Sequence, residues 1–142
     1  MDINQLTEFV GNHTLLVLAL VAIVIMLVGG EIQSRISGIQ QVVPGEATRM
    51  INHDNAIVID MRDDKDYREG HIVNAIHAPA SAESNNKLEK YRDKPVIVYC
   101  QRGQRSAGYC SKLKKQGFGS VYNLKGGLLA WQKEALPLSK SN

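Results

Sequence analysis

Two uninterrupted apolar runs, Ala56-Ile57-Val58-Ile59-Asp60 and Val96-Ile97-Val98 leading through Tyr99 to Cys100, constrain this chain more than any other feature. Neither alternates apolar with polar residues. Each therefore suits a strand buried on both faces, the situation inside a parallel sheet with helices above and below. Helical patterns and shorter strands alternate around them. Val42-Val43 reads as a first strand, followed by a helix from Gly45 to His53 with Ala47, Met50 and Ile51 on one face. Asp63-Asp64 can open a short helix through Arg68 that Gly70 stops. Ala75 to Ala78, before Pro79, reads as a strand, and Lys87 to Tyr91 as the end of the next helix. Ser106 opens a helix with Ala107, Cys110 and Leu113 on one face, ending at Gly117. Ser120 to Asn123 is a last strand, and Gly126-Gly127 turns into a helix containing Trp131. This alternation predicts one α/β domain over residues 41–138, a parallel sheet flanked by helices on both faces, with 139–142 a frayed tail. Sheets of this kind bind ligands outside the carboxyl ends of their strands, where Cys100 and Asp60 fall.

The chain of 142 residues has room for one such domain and little else. What remains is the N-terminal segment. After the short stretch 1–13, Thr14 to Gly30 carries no charge and is mostly Leu, Val, Ile and Ala. At about 1.5 Å per residue this run reaches roughly 25 Å, the short end of what a bilayer core requires. A cleaved signal peptide would start with basic residues and end at a small-x-small site, and neither is present. The expectation is one transmembrane helix over 14–30 and a linker over 31–40, in which Ile32, Ile36 and Ile39 continue a helical spacing. All 17 Lys and Arg follow Gly30, with Arg35 and Arg49 close behind the span. That asymmetry places the N-terminus outside and the C-terminal domain in the cytoplasm, tethered to a plasma membrane of the bacterial inner-membrane type.

The chemistry concentrates at Cys100-Gln101-Arg102-Gly103-Gln104-Arg105-Ser106. A strand that feeds a tight loop and then a helix N-terminus is an anion cradle. Its amides converge and the helix dipole adds partial positive charge. A thiol at the bottom of that cradle is acidified, and the thiolate is the reactive form. A plain buried strand-end Cys is the alternative, yet two Arg and a Gly are an odd way to end an inert strand. The two Cys have no spacing that suggests a disulfide framework or a metal site. The formal charge of +3 is too scattered to suggest nucleic acid.

At these residues the chain resembles the rhodanese (sulfurtransferase) family, whose loop Cys-x-x-Gly-x-Arg/Thr-Ser is matched by Cys100, Gly103, Arg105 and Ser106. The likeness extends in order through Val58-Ile59-Asp60-Met61-Arg62, Tyr67 to Ile72, Ala75-Ile76, and Lys125-Gly126-Gly127-Leu128-Leu129-Ala130-Trp131 with Leu136-Pro137. Val73-Asn74 stands where the family commonly has Pro-Gly. The resemblance implies that Cys100 takes sulfur from a sulfane donor such as thiosulfate, becomes a persulfide, and passes the sulfur to a thiol acceptor, with no cofactor and no metal. It implies that the amides from Gln101 to Ser106 hold the charge. Arg105 is expected to close the loop and bind anionic donors. Arg102 is expected at the rim, and Gly103 with positive φ. Asp60, Arg62, His71 and Trp131 are candidates for a supporting layer, each with a structural alternative: an ion pair, a hydrogen-bonded His, a core indole. Cys-based phosphatases and arsenate reductases use Cys-x5-Arg. Here the spacing is Cys-x4-Arg, a tighter ring suited to one sulfur if Arg105 closes it. A non-catalytic scaffold and a persulfide or redox sensor, either binding a membrane partner, are the rival functions.

Overall fold

The computed structural model describes residues 2–36, 38–80 and 85–141, and, for side chains, not those of 30, 31, 33–36 or 85. The chain divides into two compact units, Met1–Gly38 and Ile39–Asn142.

The second unit holds a five-stranded parallel sheet. Its strands are β1 (Gln40–Val42), β2 (Ile57–Asp60), β4 (Ile76–His77), β5 (Val96–Tyr99) and β6 (Val121–Leu124), in the order β1-β6-β5-β2-β4. Ile57 to Asp60 register against Val96 to Tyr99, so the two long apolar runs lie side by side, with β5 in the centre of the sheet. The period-2 alternation of side chains splits the core in two. Ile59, Met61, Val96, Val98 and Cys100 face the layer of α6 (Arg105–Lys115), whose Cys110 and Leu113 pack there with Leu88. Val58, Ile97, Tyr99 and Leu124 face the opposite layer, formed by α3 (Pro44–His53) and α7 (Gly127–Lys133) through Ala47, Met50, Leu128 and Trp131. The expected α/β class, a parallel sheet with helices on both faces, is the observed one.

Two short elements were not legible in the sequence. β3 (His71–Ile72) pairs antiparallel with β7 (Leu138–Ser139), His71 opposite Ser139. Ser139 is therefore a paired residue where a frayed tail was expected; Asn142 lies outside the described residues. A two-residue strand carries no periodicity, so only the returning chain creates this pair. α4 (Asp64–Glu69) stops at Gly70 as expected, although Asp63 makes no side-chain cap bond. The helix expected to end at Tyr91 is α5 (Asn85–Leu88) followed by a 3-10 turn over Glu89–Tyr91.

The first unit consists of α1 (Ile3–Asn12) and α2 (Thr14–Ile36). The expected transmembrane helix over 14–30 falls within α2. Among the described residues no single helix is long and apolar enough to cross a membrane; α1 and Thr14–Gly29 meet the length and composition only as a pair bent by 95°. The bend falls at His13, whose non-helical backbone (φ −126°, ψ 36°) ends α1. The linker side chains of 33–37 lie outside the described residues.

Candidate active site

Cys100 follows the central strand directly, at the carboxyl edge of the sheet. What turns the next residues into a cradle is the start of α7. The N–H of Leu128 donates to the Cys100 carbonyl (3.0 Å) and that of Leu129 to the Gln101 carbonyl (3.2 Å). In a trans peptide the C=O and the following N–H point opposite ways. Holding the Gln101 carbonyl from behind therefore turns the Arg102 N–H toward the sulfur. Gly103 N–H donates to Cys100 Sγ at 3.1 Å, and the N–H groups of Arg102 and Ser106 are directed at the same atom. Gly103 has φ +84°, as expected, and Gly127 has φ +60°. A Cβ on Gly127 would run into the Cys100 and Gln101 carbonyls and the Gly103 nitrogen, so only glycine lets α7 approach this closely.

Cys100 is nearly covered, 5% exposed. Burial alone would push its pKa up, but the Ser106 hydroxyl and the N–H groups of Ser106, Arg102 and Gly103 outweigh it and leave the thiol more acidic than an ordinary cysteine. Cys110 shows the contrast. Burial first, and the neighbouring Cys100 second, push its thiol up to about 12, and it donates to the Tyr122 carbonyl at 3.5 Å. Both cysteines are free, and Cys110 stays a protonated core thiol.

The loop is not closed by Arg105. That residue opens α6, is exposed, and its side chain has no hydrogen bond or ion pair among the described residues. The inner side of the loop is already filled by Ser106 and Asn123, both fully buried. Asn123 Nδ2 donates to the Gly103 carbonyl (2.8 Å) and to Gln41 Oε1 (2.9 Å), while its Oδ1 accepts from the Ser106 hydroxyl. Ser106 Oγ in turn lies 3.4 Å from Cys100 Sγ. A hydroxyl carries one proton. With a neutral thiol the chain runs Cys100 to Ser106 to Asn123; with a thiolate, Ser106 turns its proton to sulfur. Asn123 was missed in the sequence. The signal was there: a polar residue at the carboxyl end of β6, opposite Val98 and on the same face as Val121. The spacing of Arg105 therefore says nothing about ring size, which the main chain and Asn123 set.

Of the remaining candidates outside the loop, the Asp60–Arg62 pair reaches it and the others do not. Arg62 grips Asp60 through Nη2 (2.7 Å) and Nε (3.1 and 3.2 Å), and reaches the Gly70 carbonyl (2.6 Å) and Gln101 Oε1 (3.2 Å). Asp60 also accepts from the Tyr99 hydroxyl at 2.6 Å. Burial, then the Asp60 carboxylate, raise the Tyr99 pKa, so the phenol is a neutral donor. His71 holds the Tyr67 carbonyl (2.8 Å) and stacks on the Tyr67 ring at 3.9 Å. Trp131 is in the core with Nε1 donating to the Pro137 carbonyl (3.1 Å). Neither His71 nor Trp131 makes a hydrogen bond to the loop. Gln101, Arg102 and Gln104 are exposed at its rim. Among the described residues no cluster of His, Cys, Asp and Glu could hold a metal.

One outcome follows from the Ser106 contact. The rate of Cys100 alkylation by iodoacetamide rises with pH as the thiol ionises, and the lowered pKa puts that rise below the ordinary cysteine range. Ser106→Ala removes a donor to the thiolate, so its rise shifts to higher pH. The two curves converge once both thiols are ionised. Coincident curves would show that the amides alone acidify Cys100.

Residues 43–134 match the rhodanese-like domain family. The chain is 38% identical over 138 residues to the uncharacterized protein YibN of Escherichia coli strain K12, covering 95% of this chain and 96% of that protein. It is 37% identical over 102 residues to the thiosulfate sulfurtransferase GlpE of Coxiella burnetii, covering 68% of this chain and 90% of that one. Among solved structures, a rhodanese-related protein from Thermoplasma volcanium aligns with a TM-score of 0.65 at 28% identity, over 72% of this chain and 99% of that one.

Proposed function

Since this chain belongs to the rhodanese-like domain family, we propose that it is a sulfurtransferase in which Cys100 carries a sulfane sulfur from a donor such as thiosulfate to a thiol acceptor. Relatives with sulfurtransferase names support the class. One observation carries the finer reading: main-chain N–H groups of Arg102, Gly103 and Ser106 converge on one nearly buried sulfur. Such donors, oriented before reaction, stabilise an anion without reorganising.

In the first step the Cys100 thiolate attacks the outer sulfur of thiosulfate. A new S–S bond forms, the donor's S–S bond breaks, and sulfite leaves with the bonding pair. In the second step an acceptor thiolate attacks the outer sulfur of the persulfide, and Cys100 departs as thiolate. No general base is required, because the nucleophile is already acidified. The exposed Arg102 and Arg105 would attract an anionic donor to the mouth of the loop.

The test is mass spectrometry of the intact chain after incubation with thiosulfate and removal of the excess. One added sulfur, about 32 Da, with matching release of sulfite, is the expected result. No adduct with thiosulfate or with other sulfane donors would overturn the reading in favour of a non-catalytic scaffold. A stable adduct that no thiol discharges would indicate a sensor.

The N-terminal unit is proposed as the anchor that ties this activity to a membrane, with the rhodanese-like domain cytoplasmic. The uncharged Thr14 to Gly30 and the basic residues that follow it support this. Full-length chain is then expected in the alkaline-washed membrane fraction, with its C-terminus spared by protease added to intact cells. Release from membranes would refute the anchor, and digestion of the C-terminus the orientation.

A further inference from the structure

Charge is unevenly distributed along the second unit. From Lys94 to Lys133 the sequence has eight of the 17 Lys and Arg and none of the 14 Asp and Glu. Part of this has a local explanation. Lys112, Lys114 and Lys115 occupy the last turn of α6 and Lys133 that of α7, where cations complement the helix dipole. Arg102, Arg105 and Lys125 have no such role. All three are exposed, and none is in an ion pair among the described residues. The backbone of Gly103 packs against that of Gly126, so Lys125 stands one residue from a loop contact.

A shallow cavity of about 520 Å³ lies beside the same loop, lined by Gly126, Leu129, Ala130, Gln132 and Lys133. It adjoins the catalytic loop directly, because Leu129 N–H bonds the Gln101 carbonyl. Leu129 is a large apolar side chain left 38% exposed there. A small donor such as thiosulfate needs only the mouth of the loop. A shelf lined by Leu129 and Lys133, with the exposed Lys125 next in sequence to its Gly126, extends past what such a donor can touch.

Resting on the sulfurtransferase reading, we propose that the acceptor is a protein thiol set in an acidic segment, which docks over Leu129 between Lys125 and Lys133 and presents its cysteine to the Cys100 persulfide. The transfer balances within the two partners. After loading, the outer sulfur takes a proton from solvent; the acceptor thiolate attacks it, the S–S bond to Cys100 breaks, Cys100 leaves as thiolate, and the outer sulfur with that proton ends on the acceptor as a new persulfide.

The experiment loads the full chain with thiosulfate, removes the excess, and follows discharge of the persulfide by intact mass. Three acceptors are compared: a cysteine peptide flanked by Asp and Glu, the same peptide with Asn and Gln, and dithiothreitol. Each is tested on the natural chain, on Lys125→Glu/Lys133→Glu, and on the milder Lys125→Gln/Lys133→Gln. Comparing chains on one peptide cancels the effect of its own flanks on its thiol. At low ionic strength the acidic peptide is expected to discharge the natural chain about tenfold faster than the Glu variant, with the Gln variant between, and the gap should close in high salt. The Asn/Gln peptide and dithiothreitol should discharge all three chains at similar rates. If the natural and charge-reversed chains treat the acidic peptide alike, the docking surface is wrong while the sulfurtransferase reading stands. If Cys100 never loads, both fall together.

Discussion

Cys100→Ser is expected to leave the domain folded and to abolish sulfur transfer. The serine oxygen would keep the Gly103 and Ser106 contacts of the sulfur it replaces. An unactivated hydroxyl is nonetheless far less acidic than this thiol, and no His lies at the loop to take its proton: His71 and His77 are committed to the Tyr67 and Arg62 carbonyls. Loss of the nucleophile in covalent catalysis costs on the order of 10⁴-fold or more. Thiosulfate with a small thiol acceptor measures the rate, and a urea midpoint confirms folding. Residual turnover within about 100-fold of the natural chain would mean that Cys100 is not the carrier. Cys110 gives no substitute, since its thiol is buried and protonated.

Asp60→Ala is the substitution expected to cost the most stability. Asp60 is fully buried and accepts from Arg62 through two side-chain nitrogens, from the Arg62 main chain and from Tyr99. Removing it leaves a guanidinium that is 5% exposed without its counter-charge. Breaking one side of a buried pair typically costs about 3–5 kcal/mol, a large share of the roughly 5–15 kcal/mol that holds a domain together. Replacing both partners, as in Asp60→Leu/Arg62→Met, strands no charge and should recover much of the loss. Urea denaturation of all three chains is the measurement. An Asp60→Ala midpoint close to that of the natural chain would show that Arg62 finds other partners. Arg62 also reaches Gln101, so the single variant should load sulfur more slowly even where it remains folded.

The fold class was legible because burial on both faces leaves a direct mark in residue type. Ile57 to Ile59 and Val96 to Val98 can be little else than inner strands, and they are neighbours in the sheet. Gly103 was legible for a similar reason, as a tight loop between strand and helix calls for positive φ. Arg105 was misread. Its place in the motif suggested a cation closing the ring, but Arg105 opens α6 and is exposed, while Ser106 and Asn123 are the buried groups that hold the loop from inside. The 95° bend at His13 was equally hidden, because composition fixes how apolar a segment is and not the direction in which its helices leave a break.

By itself the sequence determined the layers, the strand that ends at the thiol, and the loop that follows it, all of which depend on residue type and near neighbours. Only the tertiary structure decided what acidifies that thiol. The Arg102 amide turns inward because α7, about 28 residues further along the chain, holds the Cys100 and Gln101 carbonyls from behind through Leu128 and Leu129, and α7 can come this close because Gly127 has no side chain to keep it away. Asn123 comes to the loop from the neighbouring strand β6, and Gln41 supports it from β1 at the edge of the sheet. Hydrogen bonds between segments so far apart depend on strand order and crossover, and local pattern carries no record of those.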